Sequence, residues 1–336
     1  MGGGTRDRAM TLRALLAPDC GHGVGLGHLE RMLALADALQ PDASISLILP
    51  AGDSMLRRRV EDRGHEVVEA PGATPARVES VAVTTRSVDL LVLDGYVFDV
   101  SLQSRLRELA PLTVVDDLGL PAACDLAVNP SPGGERMRPD GATSFLGGAA
   151  YALLRAAFAE AREIVMRNGR SPRTVLVSTG ATDVDGIAER VSVELLSRDA
   201  EVEILRVVGP DAQDVSGTHQ PRLQLLVAPA SLADALARAT VYAGAAGTTA
   251  VQAACVGIPA VISDVVANQS AQAAALAEAG CAVVVDSDHL GSECLKLLDD
   301  AARGDAMADR GRALVDGRGA WRVAEALRRL VPVDTA

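Results

Sequence analysis

Short apolar runs recur along the chain, separated by stretches with a helical stripe of apolar residues. In the first half the runs are LRALLAP (12–18), SISLILP (44–50), HEVVEA (65–70), DLLVLDG (89–95), LTVVDD (112–117) and DLAVNP (125–130). Each has the length of a strand, and several are apolar on both faces, as strands of a covered parallel sheet must be. Between them, residues 28–40 place Leu29, Met32, Leu33, Ala36 and Leu39 on one helical face. Helices are also predicted at 54–64, ending at Gly64, and at 99–109. Residues 131–142, rich in Pro, Gly and charge, predict a loop at a domain edge. Residues 151–167 predict a helical connector, which NGRSP (168–172) breaks.

The second half repeats the alternation. TVLVSTGA (174–181), EVEILRVVG (201–209), LQLLVAP (223–229), VYAGA (241–245), PAVISDV (259–265) and CAVVVD (281–286) predict strands. Ser231 followed three residues on by Asp234 has the form of a capping box opening a helix. A last helix near 319–331 carries Trp321, the sole tryptophan. The alternation predicts α/β architecture, with two Rossmann-like domains, 1–150 and 151–336, facing a cleft. The last helix is expected to pack back on the first domain.

Composition narrows the classes. The 336 residues suffice for two cores, and 49% are apolar. A net charge of −12 repels phosphate backbones, so nucleic acid is not an expected partner. No run of 18 apolar residues predicts a membrane span. MGGGTRDRAM (1–10) lacks the apolar region of a signal peptide and reads as a tail, with Met10 a second candidate start. The five cysteines are scattered, with no CxxC pair, which fits free thiols in the cytoplasm. The isolated histidines suggest no metal centre and no cofactor. A monomer or weak dimer is expected.

The chemistry gathers at glycine loops between strand and helix. The first is DCGHGVGLGH (19–28), with Gly25 and Gly27 directly before His28. In an open α/β sheet such loops lie where ligands bind, and the following helix N terminus offers free N–H groups to a phosphate. The spacing does not fit the dinucleotide pattern GxGxxG. His28 there is a packed core residue, a phosphate contact or a general base. The partial positive charge of a helix N terminus disfavours an imidazolium, and the neutral ring is the form a base needs. A second loop, GAAGTT (244–249), has the same form, and STGATD (178–183) offers a third turn around Gly180. Asp94, Asp116 and Asp117 sit at predicted strand ends. Neighbours on a strand point to opposite faces, so Asp116 and Asp117 are not expected to form one acid–base pair.

GLGHLERMLALA (25–36) resembles the GxGHxxRxxxLA signature of the UDP-sugar hydrolase of pseudaminic acid biosynthesis and its spore-coat polysaccharide relatives. The similarity continues in order through LDGYVFD (93–99), VVDDL with CDLAVNP (114–130), GGAAYALLRAAF (147–158), STGATD, GAAGTT with GIPAVISDVVANQ (244–269), and DGRGAWRVAEAL (316–327). The resemblance implies a GT-B fold, like that of the glycosyltransferase adding N-acetylglucosamine to the lipid-linked peptidoglycan precursor. It implies water attack at the anomeric carbon of a nucleotide sugar, with inversion, departure of UDP and no metal. His28 would be the base or water-positioning group. Asp94 and Tyr96 would lie near the sugar, and Tyr151 and Arg155 near the interdomain cleft. Gly244, Gly247, Thr248 and Thr249 would hold the diphosphate, with Gly180 beside them. Asn268 and Gln269 would meet the sugar or phosphate side.

The chain also departs from that family. Ala17 stands for its arginine in the first strand, Val251–Gln252 for its aromatic–acid pair, and Ala149 and Ala157 for a proline and a glutamate. The family glutamate at position 252 accepts from both ribose hydroxyls, so Gln252 bears on nucleotide choice. Hydrolysis is the first expectation. The alternatives are an inverting GT-B glycosyltransferase using a small-molecule acceptor, and a nucleotide-sugar-binding protein without turnover.

Overall fold

A computed structural model of the chain describes residues 12–21, 24, 26–85, 87–169, 173–180, 183–209, 220–265 and 269–331. The expected tail, with Met10, lies outside them. The first sheet contains β1 (Leu12–Pro18), β2 (Ala43–Pro50), β3 (Glu66–Ala70), β4 (Leu90–Asp94), β5 (Leu112–Val115), β6 (Leu126–Asn129) and β7 (Ser144–Gly147). Their order is β3-β2-β1-β4-β5-β6-β7, with every pairing parallel. The second holds β8 (Thr174–Ser178), β9 (Glu203–Val208), β10 (Leu223–Val227), β11 (Val241–Ala245), β12 (Ala260–Ser263) and β13 (Ala282–Val284), in the order β10-β9-β8-β11-β12-β13, again all parallel. The strand order reverses between β1 and β4 in one sheet and between β8 and β11 in the other. Each reversal opens a crevice at the carboxyl ends of the strands, where such sheets bind ligands.

Helices cover both faces. In the first domain these are α1 (Gly27–Leu39), α2 (Ser54–Glu61), α3 (Thr74–Thr84) and α4 (Val100–Arg107). Then come α5 (Ala156–Asn168), α6 (Ile187–Arg198), α7 (Ala233–Arg238), α8 (Thr248–Val256), α9 (Ser270–Glu278), α10 (Leu290–Asp299), α11 (Ala301–Leu314) and α12 (Gly319–Leu330). The apolar face expected of α1 is buried: Leu29, Met32, Leu33, Ala36 and Leu39 are fully covered. No helix among the described residues is long and apolar enough to cross a membrane. The five cysteines are buried and unpaired, and burial pushes the Cys124 thiol up to about 11.

Four elements differ from the sequence expectation. The connector helix starts at Ala156, because residues 152–155 are not helical. The adjacent Leu153 and Leu154 enter the cores of the first and second domains respectively, and only an extended chain points neighbours in opposite directions. The capping box at Ser231 does not form: the helix starts at Ala233, whose N–H donates to Ser231 Oγ at 3.1 Å. Neither α3 nor β7 was expected. The first is short, with Pro75 in its opening turn, and the second has four residues.

The final helix packs on the first domain. Ala320, Val323, Ala324 and Leu327 of α12 join the core around α1, while Trp321 faces solvent at 56% exposure.

Candidate functional site

His28 is the second residue of α1, beside the crevice between β1 and β4. Asp94 ends β4 and is fully buried. Its backbone carbonyl accepts from Asp19 N at 2.7 Å, tying the loop after β1 to the end of β4. His28 Nδ1 lies 2.7 Å from Asp94 Oδ1. A carboxylate only accepts, so pairing with Asp94 puts the ring proton on Nδ1 and leaves the Nε2 lone pair free, whereas the 2.7 Å contact of Nδ1 with Arg31 Nη2, which only donates, calls for the opposite tautomer. The Tyr96 ring meets His28 edge-on at 5.2 Å between centroids.

Arg31 completes the group. It stands three residues from His28, on the same face of α1. Its Nε donates to Asp94 Oδ2 at 3.0 Å and its Nη2 to Asp94 Oδ1 at 2.6 Å, a forked grip. Nη2 and His28 Nδ1 share that oxygen and stand 2.7 Å apart. Arg31 Nη1 donates to Asp117 Oδ2 at 2.8 Å, and the Tyr96 hydroxyl donates to Asp117 Oδ1. Burial favours a neutral Asp94, but the Arg31 guanidinium and His28 outweigh it and hold the carboxyl below its ordinary range. Burial also works against the charge on Arg31, and Asp94 and Asp117 more than offset it. Asp116 turns away, accepting from Leu118 N at 3.0 Å and Leu120 N at 2.6 Å. The two adjacent aspartates, just past the end of β5, therefore serve different structures.

The second domain faces this group with a bare helix end. Gly244, near the end of β11, has φ of +156°, and a Cβ there would overlap the Ser178 carbonyl oxygen on β8. The buried Tyr242 hydroxyl braces the same point, 2.9 Å from Ser178 O and 2.8 Å from Ala245 O, and Thr249 hydrogen-bonds it. Gly247 is the N-cap of α8, and no side chain caps the N–H groups that follow. The Gln272 amide holds the carbonyls of Ala246 and Gly247, the latter at 2.9 Å. A Cβ on Gly27 would lie 3.6 Å from Thr248 Oγ1, so the N termini of α1 and α8 come together across the cleft. Their partial positive charges meet where an anionic group would be held.

Other expected residues lie around this centre. Gly180 follows β8, exposed and left-handed at φ +107°, with open space where a Cβ would be. Gln252 is 9% exposed, and its Oε1 has no hydrogen-bond partner among the described residues. Gln269, the residue before α9, also holds a buried Oε1 without such a partner, and its Nε2 stands 3.1 Å from where a Gly247 Cβ would be. Tyr151 packs against the first core at the crossing between domains. Arg155 spans the cleft: Nη2 donates to Ala230 O at 2.7 Å, and Nε lies 3.4 Å from Glu30 Oε2. Gly25 and Asn268 lie outside the described residues.

Sequence reasoning passed over Arg31, the Asp117 link, Glu30 and Arg59. Arg59 Nη1 donates to Glu30 Oε1 at 2.9 Å, and its Nη2 reaches Ala228 O and Pro229 O at 3.0 and 3.2 Å. Glu30, two residues from His28, thus holds two arginines that grip the opposite domain. The available signals for Arg31 were its place as the arginine of the GxGHxxR signature and its position on the apolar side of a helix, where a basic residue needs a buried partner.

No family model matches the chain. Among curated proteins it is 22% identical over 201 residues to Uncharacterized protein MJ1062 of Methanocaldococcus jannaschii, covering 56% of this chain and 41% of that protein. The chain thus spans less than half the length of that relative. Solved structures match over nearly the whole length. The spinosyn forosaminyltransferase SpnP superposes with a TM-score of 0.68 at 16% identity, over 95% of this chain and 99% of that one. The glycotransferase of kitacinnamycin gives 0.67 at 15%, over 95% and 99%. LpCGTa in complex with UDP gives 0.67 at 14%, over 96% and 100%. The fold is GT-B, as expected. At these identities the neighbours show the fold alone and give no specific support to the hydrolase.

Proposed function

We propose that this chain is an inverting, metal-independent glycosyltransferase that moves a sugar from a nucleotide, UDP first among candidates, to a small-molecule acceptor. The carrying observation is the pairing of His28 Nδ1 with buried Asp94 at 2.7 Å, facing the bare N terminus of α8. Residues 1–150 take the acceptor and sugar, and residues 151–336 the nucleotide diphosphate. His28 Nε2 removes the acceptor proton, and Asp94 holds the ring and stabilises the imidazolium that forms. Gly180, Gly244, Gly247, Thr248 and Thr249 meet the charge developing on the leaving diphosphate through fixed N–H and hydroxyl groups. Tyr96 flanks the sugar, and Gln269 with Asn268 contacts it or the phosphates. Tyr151 and Arg155 border the cleft. One base opposite one leaving-group site performs a single displacement, which inverts the anomeric centre.

Fold alone does not separate transfer from hydrolysis. Nucleotide sugars incubated with the protein, with and without alcohol acceptors, do. Transfer gives slow nucleotide release that accelerates with acceptor and yields a glycoside by mass spectrometry. Rapid stoichiometric release of free sugar without acceptor assigns the chain to the hydrolases instead.

Turnover is expected to survive EDTA, because helix N termini and hydroxyls supply the charge complement. Loss of activity on chelation, restored by magnesium or manganese, would overturn the metal-independent route.

Gln252 gives a further test. An amide offers one acceptor oxygen where a carboxylate offers two, and hydrogen bonds to charged groups contribute roughly 1.5–3 kcal/mol against about 1 for neutral ones. Gln252→Glu is expected to tighten UDP and to sharpen its discrimination from 2′-deoxy-UDP, measured by calorimetry. Identical isotherms for the two proteins would remove Gln252 from the ribose.

A further inference from the structure

Two arginines cross the cleft in opposite directions and meet at one carboxylate. Arg59, on α2 of the first domain, forks: Nη1 donates to Glu30 Oε1 at 2.9 Å, and Nη2 reaches across to Ala228 O at 3.0 Å and Pro229 O at 3.2 Å. Arg155 caps α5 on the side of the second core; its Nη2 donates to the next carbonyl, Ala230 O, at 2.7 Å, and its Nε lies 3.4 Å from Glu30 Oε2. Glu30 belongs to α1, two residues beyond His28. The two arginine side chains are only 12% and 11% exposed, so water competes little for these contacts.

The gripped turn, between β10 and α7, needs holding. Ala228 has φ of +36°, in the left-handed region that residues other than glycine avoid. Pro229 follows it, and a residue before proline is pushed towards extended backbone. Asn or Asp in the left-handed region can bond the local backbone, but alanine has no group for it. A strained turn persists where its surroundings fix it, and here two guanidinium groups hold three successive carbonyls. The opposite lip of the cleft is tied more weakly. There a Cβ on Gly133 would stand 3.0 Å from Ala275 Cβ, and Arg136 Nη2 donates to Glu278 Oε2 at 2.9 Å. That pair is 65% and 66% exposed, and exposed ion pairs contribute little.

We propose that Arg59 is a latch that holds the cleft shut without a ligand, and that Glu30 is the catch that fixes it to the helix bearing His28. Releasing the latch breaks hydrogen bonds and no apolar core, so the domains part without either unfolding. Closing it presses the turn at 228–230 against α2 and sets α1 against the second domain. The latch stands apart from the transferase reading; only its effect on turnover rests on that reading.

Two variants test it. Arg59→Lys keeps a cation opposite Glu30 but loses the planar fork that serves a carboxylate and two carbonyls at once. Glu30→Gln keeps both arginines and removes the charge that gathers them. Small-angle X-ray scattering on the free protein reads the cleft, and hydrogen exchange of the segment 223–232 reads the turn. Both variants are expected to show a larger radius of gyration than the wild type, with exchange in that segment faster by about tenfold or more. The far-ultraviolet circular dichroism should be unchanged, and if Glu30→Gln does not fold, Arg59→Lys carries the test. An unchanged radius in folded Arg59→Lys overturns the latch, and faster exchange at that same radius reduces Arg59 to a support of the turn. A separate arm adds nucleotide sugars and alcohol acceptors. Open variants that turn over as fast as the wild type would remove the coupling of the latch to His28. A wild type without turnover would sink the transferase reading and leave the scattering result to decide the latch.

Discussion

Replacing His28 with alanine is expected to cut turnover by roughly a hundred- to ten-thousand-fold, the range that general acid–base groups contribute. Folding should persist, because the His28 side chain, 13% exposed at the opening of α1, is held by a polar partner, and its loss leaves Leu29, Met32, Leu33, Ala36 and Leu39 in place. UDP affinity should also persist, since the groups assigned to the diphosphate stand on the other domain. The measurement is single-turnover kinetics with calorimetry on the same preparation. Wild-type turnover in the variant would remove His28 from the reaction. An unfolded variant would make it the packed core residue that the sequence also allowed. Asp94→Asn is the companion: an amide nitrogen facing Nδ1 would favour the other ring tautomer and so withdraw the free lone pair from the substrate side.

The second large effect concerns stability. Arg31→Met keeps an unbranched side chain of similar length but leaves Asp94, fully buried, without its cation. Removing one partner of a buried ion pair typically costs about 3–5 kcal/mol. The sign of the pH dependence follows from the folded-state carboxyl. In the wild type it lies below its ordinary value of 3.8, so its stabilising contribution is complete above that value and is lost as pH falls through the lower folded one. In the variant the pull of Arg31 is gone and burial raises the carboxyl, so charge on Asp94 opposes folding at neutral pH. Acidification relieves that opposition. The gap between the two proteins should therefore be widest near neutrality and narrow towards acid, measured by urea unfolding across that range. A gap independent of pH would mean that the arginine acts by packing alone.

Much of the frame was legible because strand and helix periods are local properties. The runs at 12–18, 44–50 and 241–245 coincide closely with β1, β2 and β11, and the α1 stripe is the buried stripe. The last helix was legible as an element, expected near 319–331 and observed at Gly319–Leu330. Errors arose where a tertiary demand overrode the local pattern. YALLR reads as helix, yet its two leucines must serve two cores, and that holds residues 152–155 out of helix.

The site was legible in pieces. A glycine loop before a histidine and an acid at a strand end are sequence signals, and the fold brings His28 and Asp94 together. Their connection through Arg31 to Asp117 and Tyr96 crosses three strand ends far apart in sequence, and no local period encodes it. Glu30 and Arg59 look like ordinary helix-surface charges until the opposite domain is in place to receive Arg59 and to present Arg155 to Glu30.

The chain crosses between the domains twice, once over residues 149–154, whose side chains divide between the two cores, and once between Val315 and Ala320, whose side chains lie in opposite cores. The two crossings touch: a Cβ on Gly319 would overlap the backbone of Tyr151 and Ala152. Two bodies joined by one thread can swivel about any axis. Joined by two adjacent threads, they keep one easy rotation, about the line the threads share. Opening and closing is then a swing along a fixed arc, and sideways drift of one domain past the other is resisted. Because α12 leaves that line and packs directly on α1, the helix bearing His28 is fastened to the pivot itself.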